Sequence, residues 1–504
     1  MQHSMHFRRA LAVGGIIVAA VLAVDGVIVG TQWPFSRRAA TLALERASAS
    51  RVTFGHFDPA FFPRPGYVAE NVSFERNGPP LATIRVIRCM TSWPTLLSLT
   101  HRVQYMQLDE VRVQIPAHVP PPIHFGNSAI ETTVTELVAD GATLDVAPRK
   151  DGGPGLRFAF PHLKVTNLAK DKALHFETVL QNPKPNATIV ANGAFGPLKR
   201  SDPKQTPLSG SFRITRANLD EGGSIAGLLT ATGDFRGLLS RVDVNGKAEV
   251  PNFEVKSSHH PIDVKANYRA VVDGAHGDVA VEALTATWMH VALAAHGNIS
   301  GQSGQNGKTI ALYFEASHAP VEDLFHMFVS SDPSPVEGPI TFRARVVLPP
   351  GKREFLRRVR LDGAFHIDHA TFGHSNSQAK VDELSARTRR GHDDPPRDPQ
   401  KVTADMSGDV RLRNGTAEFS NSSFDVPGAK ARVSGSYNLI SEAVDLNGRL
   451  AIQASLSHAA GGIKSVLLLP LDPFFKKGNA GAVIAVHIGG TYARPVFKAS
   501  LRKR

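Results

Sequence analysis

Beyond residue 50 the chain alternates apolar and polar residues through one segment after another, and this period of two constrains its fold more than any other feature. In residues 340–348 every second residue is apolar, with Thr341, Arg343 and Arg345 between them. The same pattern returns in residues 262–272, 359–367, 431–439 and 444–456. Because successive side chains of a strand point to opposite faces, each segment predicts a strand with one apolar face. Such strands suit an antiparallel sheet with one face in water.

Composition agrees with an all-β fold and excludes several other classes. The chain is 42% hydrophobic and 20% charged, which excludes wholesale disorder. Its 43 glycines and 34 prolines, with only 7% aromatic residues, are typical of strands joined by tight turns. At 504 residues it exceeds one compact core of about 250 to 300 residues, so we expect several domains or one elongated sheet. The single cysteine, Cys89, excludes an internal disulfide and a cysteine zinc site.

Glycines recur between and within the predicted strands. Asn-Gly and Asp-Gly pairs, typical of type I′ hairpin turns, begin at Asn77, Asp140, Asp151, Asn192, Asn245, Asp273, Asn306, Asp362, Asn414 and Asn447. At Asp362 and Asn447 the alternation continues unchanged across the pair, so a glycine inside a long strand is the better interpretation there. A Gly-x-apolar element also recurs, at Gly193, Gly210, Gly233, Gly297, Gly363 and Gly435. This irregular repetition favours one continuous sheet over separate compact domains.

The N-terminal segment predicts a membrane anchor. Residues 10–30 are apolar apart from Asp25, and about 20 such residues cross a bilayer as a helix. Cleavage after Ala23, as in a signal peptide, is the alternative. The apolar run continues through Val29, which favours the anchor. We therefore expect a single-pass membrane protein with a short cytoplasmic tail. The bulk of the chain is expected on the opposite side of the membrane from the cytoplasm.

A few short helices are predicted among the strands. Residues 37–50 have the composition of a helix, and three amphipathic segments suit capping of the sheet: residues 94–99, 319–329 and 463–475. Pro470 and Pro473 exclude a long regular helix in the last segment. We expect that segment to pack on the apolar face of the last strands, near Ile484, Val486 and Ile488.

No motif for catalysis is present. The sequence contains no nucleophile elbow, phosphate loop or HExxH helix, so an enzyme is disfavoured and no cofactor or metal is expected. His259 and His260 could ligate a metal, but neighbours in a strand point to opposite faces, and a solvated turn is the better interpretation. The net charge of +12 is spread along polar faces with little aromatic interleaving, which argues against nucleic-acid binding.

Two stretches resemble the bacterial AsmA family. In residues 69–116, after the predicted anchor, the resemblance lies in Leu96-Leu97 and in the strand residues Leu108, Val111, Val113 and Pro116. In residues 408–450 and 462–497 it lies in Val426-Pro427-Gly428-Ala429, Gly435-Ser436-Tyr437, Leu471-Asp472-Pro473-Phe474-Phe475, Ile488-Gly489-Gly490-Thr491, Pro495 and Phe497. The resemblance implies an inner-membrane protein of a diderm bacterium whose periplasmic β-sheet curls into an apolar groove. It implies similarity to bridge-like lipid transfer proteins and TamB-related envelope proteins, without catalytic residues.

The expected organisation follows from these features. It comprises a cytoplasmic tail (1–9), a transmembrane anchor (10–30), an AsmA-like N-terminal module (31–125), a central β-sheet region (126–345) and an AsmA-like C-terminal region (346–504). We expect an elongated, curled antiparallel sheet, a β-groove, with a few capping helices. The residues predicted to line the groove are Ile340, Phe342, Val346, Val359, Leu361, Phe365, Val433, Tyr437, Val444, Leu446, Leu450 and Ile452.

So long an apolar face must be covered, since exposed patches above a few hundred Å² are rare. One solution is a curled groove covered partly by acyl chains, which predicts a role in phospholipid transport or outer-membrane biogenesis. The other is a closed β-sandwich, which predicts a non-catalytic envelope scaffold or outer-membrane protein assembly factor. The family resemblance favours the groove. The expected partners are phospholipid acyl chains, the inner membrane and other envelope proteins, not nucleic acid.

Overall fold

The protein is described here by a computed structural model covering most of the chain beyond residue 34. The described residues are 35–48, 50–75, 80–97, 102–115, 133–146, 156–169, 172–183, 185–199, 202–220, 225–274, 277–301, 307–330, 333–351, 353–372, 403–426, 429–452 and 483–501. The predicted anchor and the segment 463–475 lie outside them. Within them no helix is long and apolar enough to cross a membrane. Strands make up 73% of the described residues and helices 9%, which confirms the all-β prediction.

Twenty-six strands and four α-helices form the described chain. The strands are β1 (Arg51–Thr53), β2 (His56–Ala60), β3 (Gly66–Glu75), β4 (Pro80–Met90), β5 (Arg102–Ile115), β6 (Thr133–Val146), β7 (Leu156–Leu168), β8 (Leu174–Pro183), β9 (Asn186–Phe195), β10 (Pro207–Asn218), β11 (Ile225–Ala226), β12 (Leu228–Leu238), β13 (Arg241–Val255), β14 (Ile262–Val272), β15 (Val279–Trp288), β16 (Val291–Gly301), β17 (Lys308–Pro320), β18 (Val336–Glu337), β19 (Pro339–Leu348), β20 (Arg360–Phe372), β21 (Ala404–Arg413), β22 (Thr416–Val426), β23 (Ala429–Asn438), β24 (Val444–Ile452), β25 (Val483–Thr491) and β26 (Arg494–Leu501). The helices are α1 (Arg37–Ser48), α2 (Trp93–Leu97), α3 (Val321–Phe328) and α4 (Phe355–Arg358), with a 3-10 turn at Pro203–Gln205.

All 26 strands belong to one open, curled sheet. β1 and β2 pair with successive parts of β3, and from β3 onward the strands follow one another across the sheet in chain order. The two-residue strands β11 and β18 pair with the ends of β13 and β20. This continuity confirms the expectation of one sheet extended by similar hairpins. The described strands form no sandwich of two sheets.

The prediction of a wholly antiparallel sheet is wrong at one place. β5 and β6 run parallel, in a register that extends from Arg102 opposite Thr133 to Ile115 opposite Val146. A parallel pair needs a connection that returns the chain to the same end of the sheet. Residues 116–132, which make this connection, lie outside the described residues. The sheet is therefore mixed, with a single parallel pair among the described strands.

The Asn-Gly and Asp-Gly pairs divide between turns and strand interiors. Asn414 and Gly415, with φ of 51° and 78°, close the two-residue turn between β21 and β22, as a type I′ turn requires. Gly363 and Gly448 lie inside β20 and β24, as predicted. The pairs that begin at Asp140, Asn192 and Asn245 also lie inside strands, and they do not close hairpins.

Some strand glycines leave room for an aromatic ring on the neighbouring strand. Gly210 of β10 lies opposite Phe235 of β12, and Phe212 lies opposite Gly233. A Cβ atom at Gly210 would lie 2.7 Å from the Phe235 ring, and one at Gly233 would lie 2.9 Å from the Phe212 ring. Rings that cover strand glycines in this way stabilise the pairing and fix its register. The Gly-x-apolar element thus has a packing role.

A row of β-bulges bends the strands. The register shifts in β10, β13, β17, β20 and β22, and each shift contains a polar residue in the left-handed region: Arg216, Asn252, His318, His369 and Asn421. A bulge adds one residue to its strand, bends it and increases its twist. Recurring in five strands of the sheet, these bulges add bend and twist to it.

The N-terminal end of the sheet contains a closed core. Helix α1 packs Ala40, Ala43 and Leu44 into this core, and Leu96 of α2 packs against it. The strand residues with almost no solvent exposure are Tyr67, Ala69, Val72, Cys89, Val103, Met106, Val134, Leu137 and Val165. The expected helices near residues 37–50 and 94–99 are therefore confirmed, and they help to cover the apolar face of the first strands.

Candidate functional site

The candidate site is the apolar face of the sheet from β17 to β25, where strand register aligns apolar residues into rows. One row crosses six strands, through Leu312, Val346, Leu361, Leu412, Ala417 and Tyr437. It continues to Val444 of β24. A neighbouring row runs through Phe314, Ala344, Gly363, Val410, Phe419, Gly435, Leu446 and Ile488. The apolar face is therefore continuous across separate hairpins.

Ten of the twelve predicted groove residues lie on strands of this apolar face, with different degrees of burial. Ile340, Val359 and Leu450 are buried. The half-buried members are Phe342, Val346, Leu361, Phe365, Val433, Tyr437, Val444 and Leu446. Ile452 ends β24, and its side chain lies outside the described part of the structure. Val359 is not a strand residue as predicted, because its N–H donates to Phe355 O at 2.9 Å and so completes α4 just before β20 begins.

The opposite face of the same strands carries charge. Arg343 pairs with Glu315 at 3.5 Å, and Asp362 pairs with Arg411 at 3.2 Å and Arg413 at 2.7 Å. Hydrogen bonds from Arg413, supported by its charge and by Arg411, lower the pKa of Asp362. These side chains are largely exposed. The predicted separation into a polar and an apolar face is confirmed here.

Half-burial distinguishes this region from the N-terminal core. Leu361, Phe419 and Leu446 retain solvent exposure, whereas Val72, Val103 and the other strand residues of the N-terminal core retain almost none. Every described strand is already part of the one sheet, so no second described sheet lies against this face. The apolar side chains of β17–β25 therefore form an apolar wall that the described protein covers only in part.

Helix α3 covers one margin of the wall, where the sequence predicts a cap at residues 319–329. Val321 and Met327 of the helix are buried in one cluster with strand residues Trp288, Ile340 and Ile367. The short cap is confirmed, although it begins two residues later than predicted.

Polar contacts fix α3 to the neighbouring turn. The buried carboxylate of Asp323 accepts a hydrogen bond from the backbone N–H of His290 at 3.1 Å, and the Nδ1 atom of His290 lies 3.0 Å from the same oxygen. Trp288 Nε1 donates to the carbonyl oxygen of Asp323 at 3.3 Å. Glu322 accepts from the N–H of Gly338 at 3.0 Å. No sequence motif pointed to Asp323; an acidic residue in the first turn of an apolar helix was the available signal.

The histidine pair of the sequence lies in the connection between β13 and β14, where His259 is exposed as predicted but His260 is half-buried. His259 and His260 follow β13, and the ring of His260 stacks on that of His326 with centroids 3.9 Å apart. Within the described ranges no three His, Cys, Asp or Glu residues are placed to hold a metal ion.

The bulges are the feature of this face that sequence reasoning missed. Before each bulge the apolar residues occupy alternate positions, and afterwards they occupy the other parity, as from Ala316 to Ala319 in β17 and from Ile367 to Ala370 in β20. Two apolar residues three positions apart within an alternating run were the available signal of a bulge. This spacing keeps the apolar side chains on one face although the strand gains a residue.

Comparisons with family models, with curated proteins and with solved structures found no match to this chain. The chemistry of the apolar face therefore carries the functional argument.

Proposed function

We propose that the apolar face of the sheet binds lipid acyl chains. In this proposal the protein is held in the inner membrane of a diderm bacterium by residues 10–30, with its sheet in the periplasm. It takes part there in phospholipid transport or outer-membrane biogenesis. The observation that supports the proposal best is the continuous, half-buried apolar wall across β17–β25, which no second described sheet covers.

The chemistry of the wall suits acyl chains. The inward residues from β19 to β24 are aliphatic, aromatic or small, and the charged side chains of these strands lie on the other face. Each methylene that leaves water for an apolar surface gains about 0.8 kcal/mol, so a long chain gains several kcal/mol even when it is only partly covered. A polar head group finds no charged partner on the wall and would remain at its open side.

The aligned rows also suit transfer along the sheet. Because Leu361, Leu412 and Ala417 lie on successive strands in one register, followed by Tyr437 on the next, an acyl chain meets a similar surface at each step. Because neighbouring strands lie about 4.8 Å apart, no wide interruption separates the apolar residues of one strand from those of the next. The sequence resemblance to the AsmA family supports the same function, as well as the proposed inner-membrane location and contacts with other envelope proteins.

The test places a charge in the proposed path. In Leu446→Lys and Val433→Lys, the lysine stem can lie along the apolar wall while its ammonium reaches water, so we expect a folded protein by circular dichroism. Acyl chains would meet the charge, so we expect loss of the phospholipid that co-purifies with the full chain, measured by mass spectrometry of an organic extract. Neither variant should rescue an envelope-permeability defect.

Matched controls lie one residue away on the exposed face. Asn447→Lys and Arg432→Lys should retain both the lipid and the rescue, because Asn447 and Arg432 point to water. Full lipid content in the folded Leu446→Lys and Val433→Lys proteins would contradict the proposal.

A further inference from the structure

We propose that the loop between β2 and β3, residues 61–65, inserts into the surface of the bilayer that holds the protein. This membrane contact is additional to the predicted anchor and independent of lipid binding by the wall. The inference rests on the membrane location in the proposed function, and on the exposure, position and charge of the loop.

The loop exposes two adjacent phenylalanines. Phe62 is 90% exposed and Phe61 is 52% exposed. Single exposed hydrophobic residues are ordinary on protein surfaces, but among the described residues no other two consecutive large hydrophobic side chains are comparably exposed. Pro63 and Pro65 follow them and restrict the backbone of the loop. The loop thus leaves the Phe62 ring almost fully exposed and about half of Phe61 exposed.

A third aromatic side chain lies on the same end of the sheet. The N–H of Thr91 donates to Pro65 O at 2.9 Å, which ties the loop to the segment that starts α2. Trp93, the first residue of α2, is 40% exposed. Tryptophan combines a large apolar ring with a polar N–H group and favours the interface between lipid and water.

The chain leaves the predicted membrane span at this same end. Phe35 packs on Tyr67 with ring centroids 6.3 Å apart, and Tyr67 directly follows the Gly66 that pairs with Ala60 beside the loop. Phe35 lies five residues after Gly30, the end of the predicted span. Even fully extended, those five steps along the chain reach about 18 Å, so the bilayer surface must lie close to this end of the sheet.

The charge around the loop complements a phospholipid surface. Arg64 lies within the loop, and Arg37 and Arg38 begin α1, with all three exposed. Arginine beside exposed aromatic rings is suited to phosphate head groups, while the rings enter the acyl boundary below them. The span and the loop would together hold the sheet at two points, which fixes its tilt on the membrane.

The lone cysteine makes the test direct. Cys89 has 0% exposure, so a nitroxide reagent should modify only an introduced surface cysteine. We would label Phe62→Cys, with Met289→Cys as the matched control at the 54% exposed turn between β15 and β16. The full chain is reconstituted in vesicles of phosphatidylethanolamine and phosphatidylglycerol, and only protein that floats with the vesicles is measured. Collision of the label with oxygen and with a nickel chelate reports its depth.

We expect the oxygen-to-nickel accessibility ratio to be several-fold higher at residue 62 than at residue 289. Equal ratios at the two positions would overturn the proposal, as would protein that fails to float. Repeating the measurement in the Leu446→Lys background separates the two proposals. The depth at residue 62 should be unchanged there, whether or not co-purifying lipid is lost.

Discussion

At the scale of single residues, three of the five bulges satisfy a backbone N–H group in the same way. The N–H of Asn252 donates to Asp263 Oδ1 at 3.0 Å, and that of His369 donates to Asp405 Oδ1 at 3.0 Å. The N–H of His318 similarly donates to Thr341 Oγ1, at 3.3 Å. In all three the acceptor residue belongs to the neighbouring strand. The residue just before it in that strand pairs with the first residue beyond the bulge. A side chain thus replaces the carbonyl that the shifted ladder cannot supply.

The left-handed backbone at these bulges selects the residue types. In Asn252→Val a β-branched side chain would occupy a φ of 51°, which should cost about 1 to 2 kcal/mol, whereas Asn252→Gly should be nearly neutral. Hydrogen exchange of the β13 and β14 amides measures the difference as faster local opening in the valine variant. Equal exchange in the valine and glycine variants would show that the bulge carries no such constraint.

Burial makes the thiol of Cys89 unreactive. Cys89 of β4 lies opposite Tyr67 of β3, and burial strongly raises the pKa of its thiol. Because the thiolate is the reactive form, we expect native protein to resist a disulfide reagent at mildly alkaline pH. One thiol per chain should react after denaturation. Rapid modification of the native protein would mean that the N-terminal core opens readily.

At the scale of elements, α3 depends on one buried carboxylate for its position. Asp323→Ala would leave the His290 N–H without its acceptor, at a cost of about 1 to 3 kcal/mol. We expect faster hydrogen exchange throughout α3 and exposure of the apolar margin that it covers. Asp425→Ala, which removes an exposed carboxylate paired with Lys430, is the matched control and should leave α3 unchanged. Unaltered exchange in Asp323→Ala would assign the position of α3 to its apolar contacts alone.

At the scale of the whole molecule, the apolar face changes from closed to partly open along the sheet. Val72 has 0% exposure in the N-terminal core, whereas Leu446 is half-buried. Val72→Lys would bury an unpaired ammonium, at a cost of several kcal/mol, and should abolish the folded protein. Leu446→Lys should fold. Circular dichroism and limited proteolysis of the two purified chains distinguish them, and equal loss of structure in both would contradict an open wall.

An open sheet has two free edges, and both carry residues that discourage further pairing. β1 and β2 form one edge, where β2 contains Pro59, and β26 forms the other, with Pro495 and Lys498. Prolines and charged side chains on an edge oppose association with another strand. With neighbours about 4.8 Å apart, the strands between the edges extend about 100 Å along the sheet. That length is available without any closure of the sheet into a barrel or sandwich.

Much of this architecture follows from local patterns in the sequence. The alternation of residues 262–272 and 340–348 determined both the strand and its apolar face, because a period of two admits one arrangement of side chains on an extended backbone. The apolar residues alternate in the same way before and after Gly363 and Gly448, and this predicted that both glycines lie inside strands. Alternation also placed Phe342, Leu361 and Leu446 on the apolar face of their strands, but it failed at Val359, which completes α4.

Tertiary structure alone decided how these elements combine. Alternation is the same in either chain direction, so it could not reveal that β5 and β6 are parallel. It could not show that the face is covered around Val72 and half-open around Leu446, because burial depends on whether distant segments such as α1 pack there. Nor could it place Asp323 beside His290, 33 residues away in the chain. Local periodicity determines which side of a strand is apolar, whereas contacts between distant residues determine what covers it.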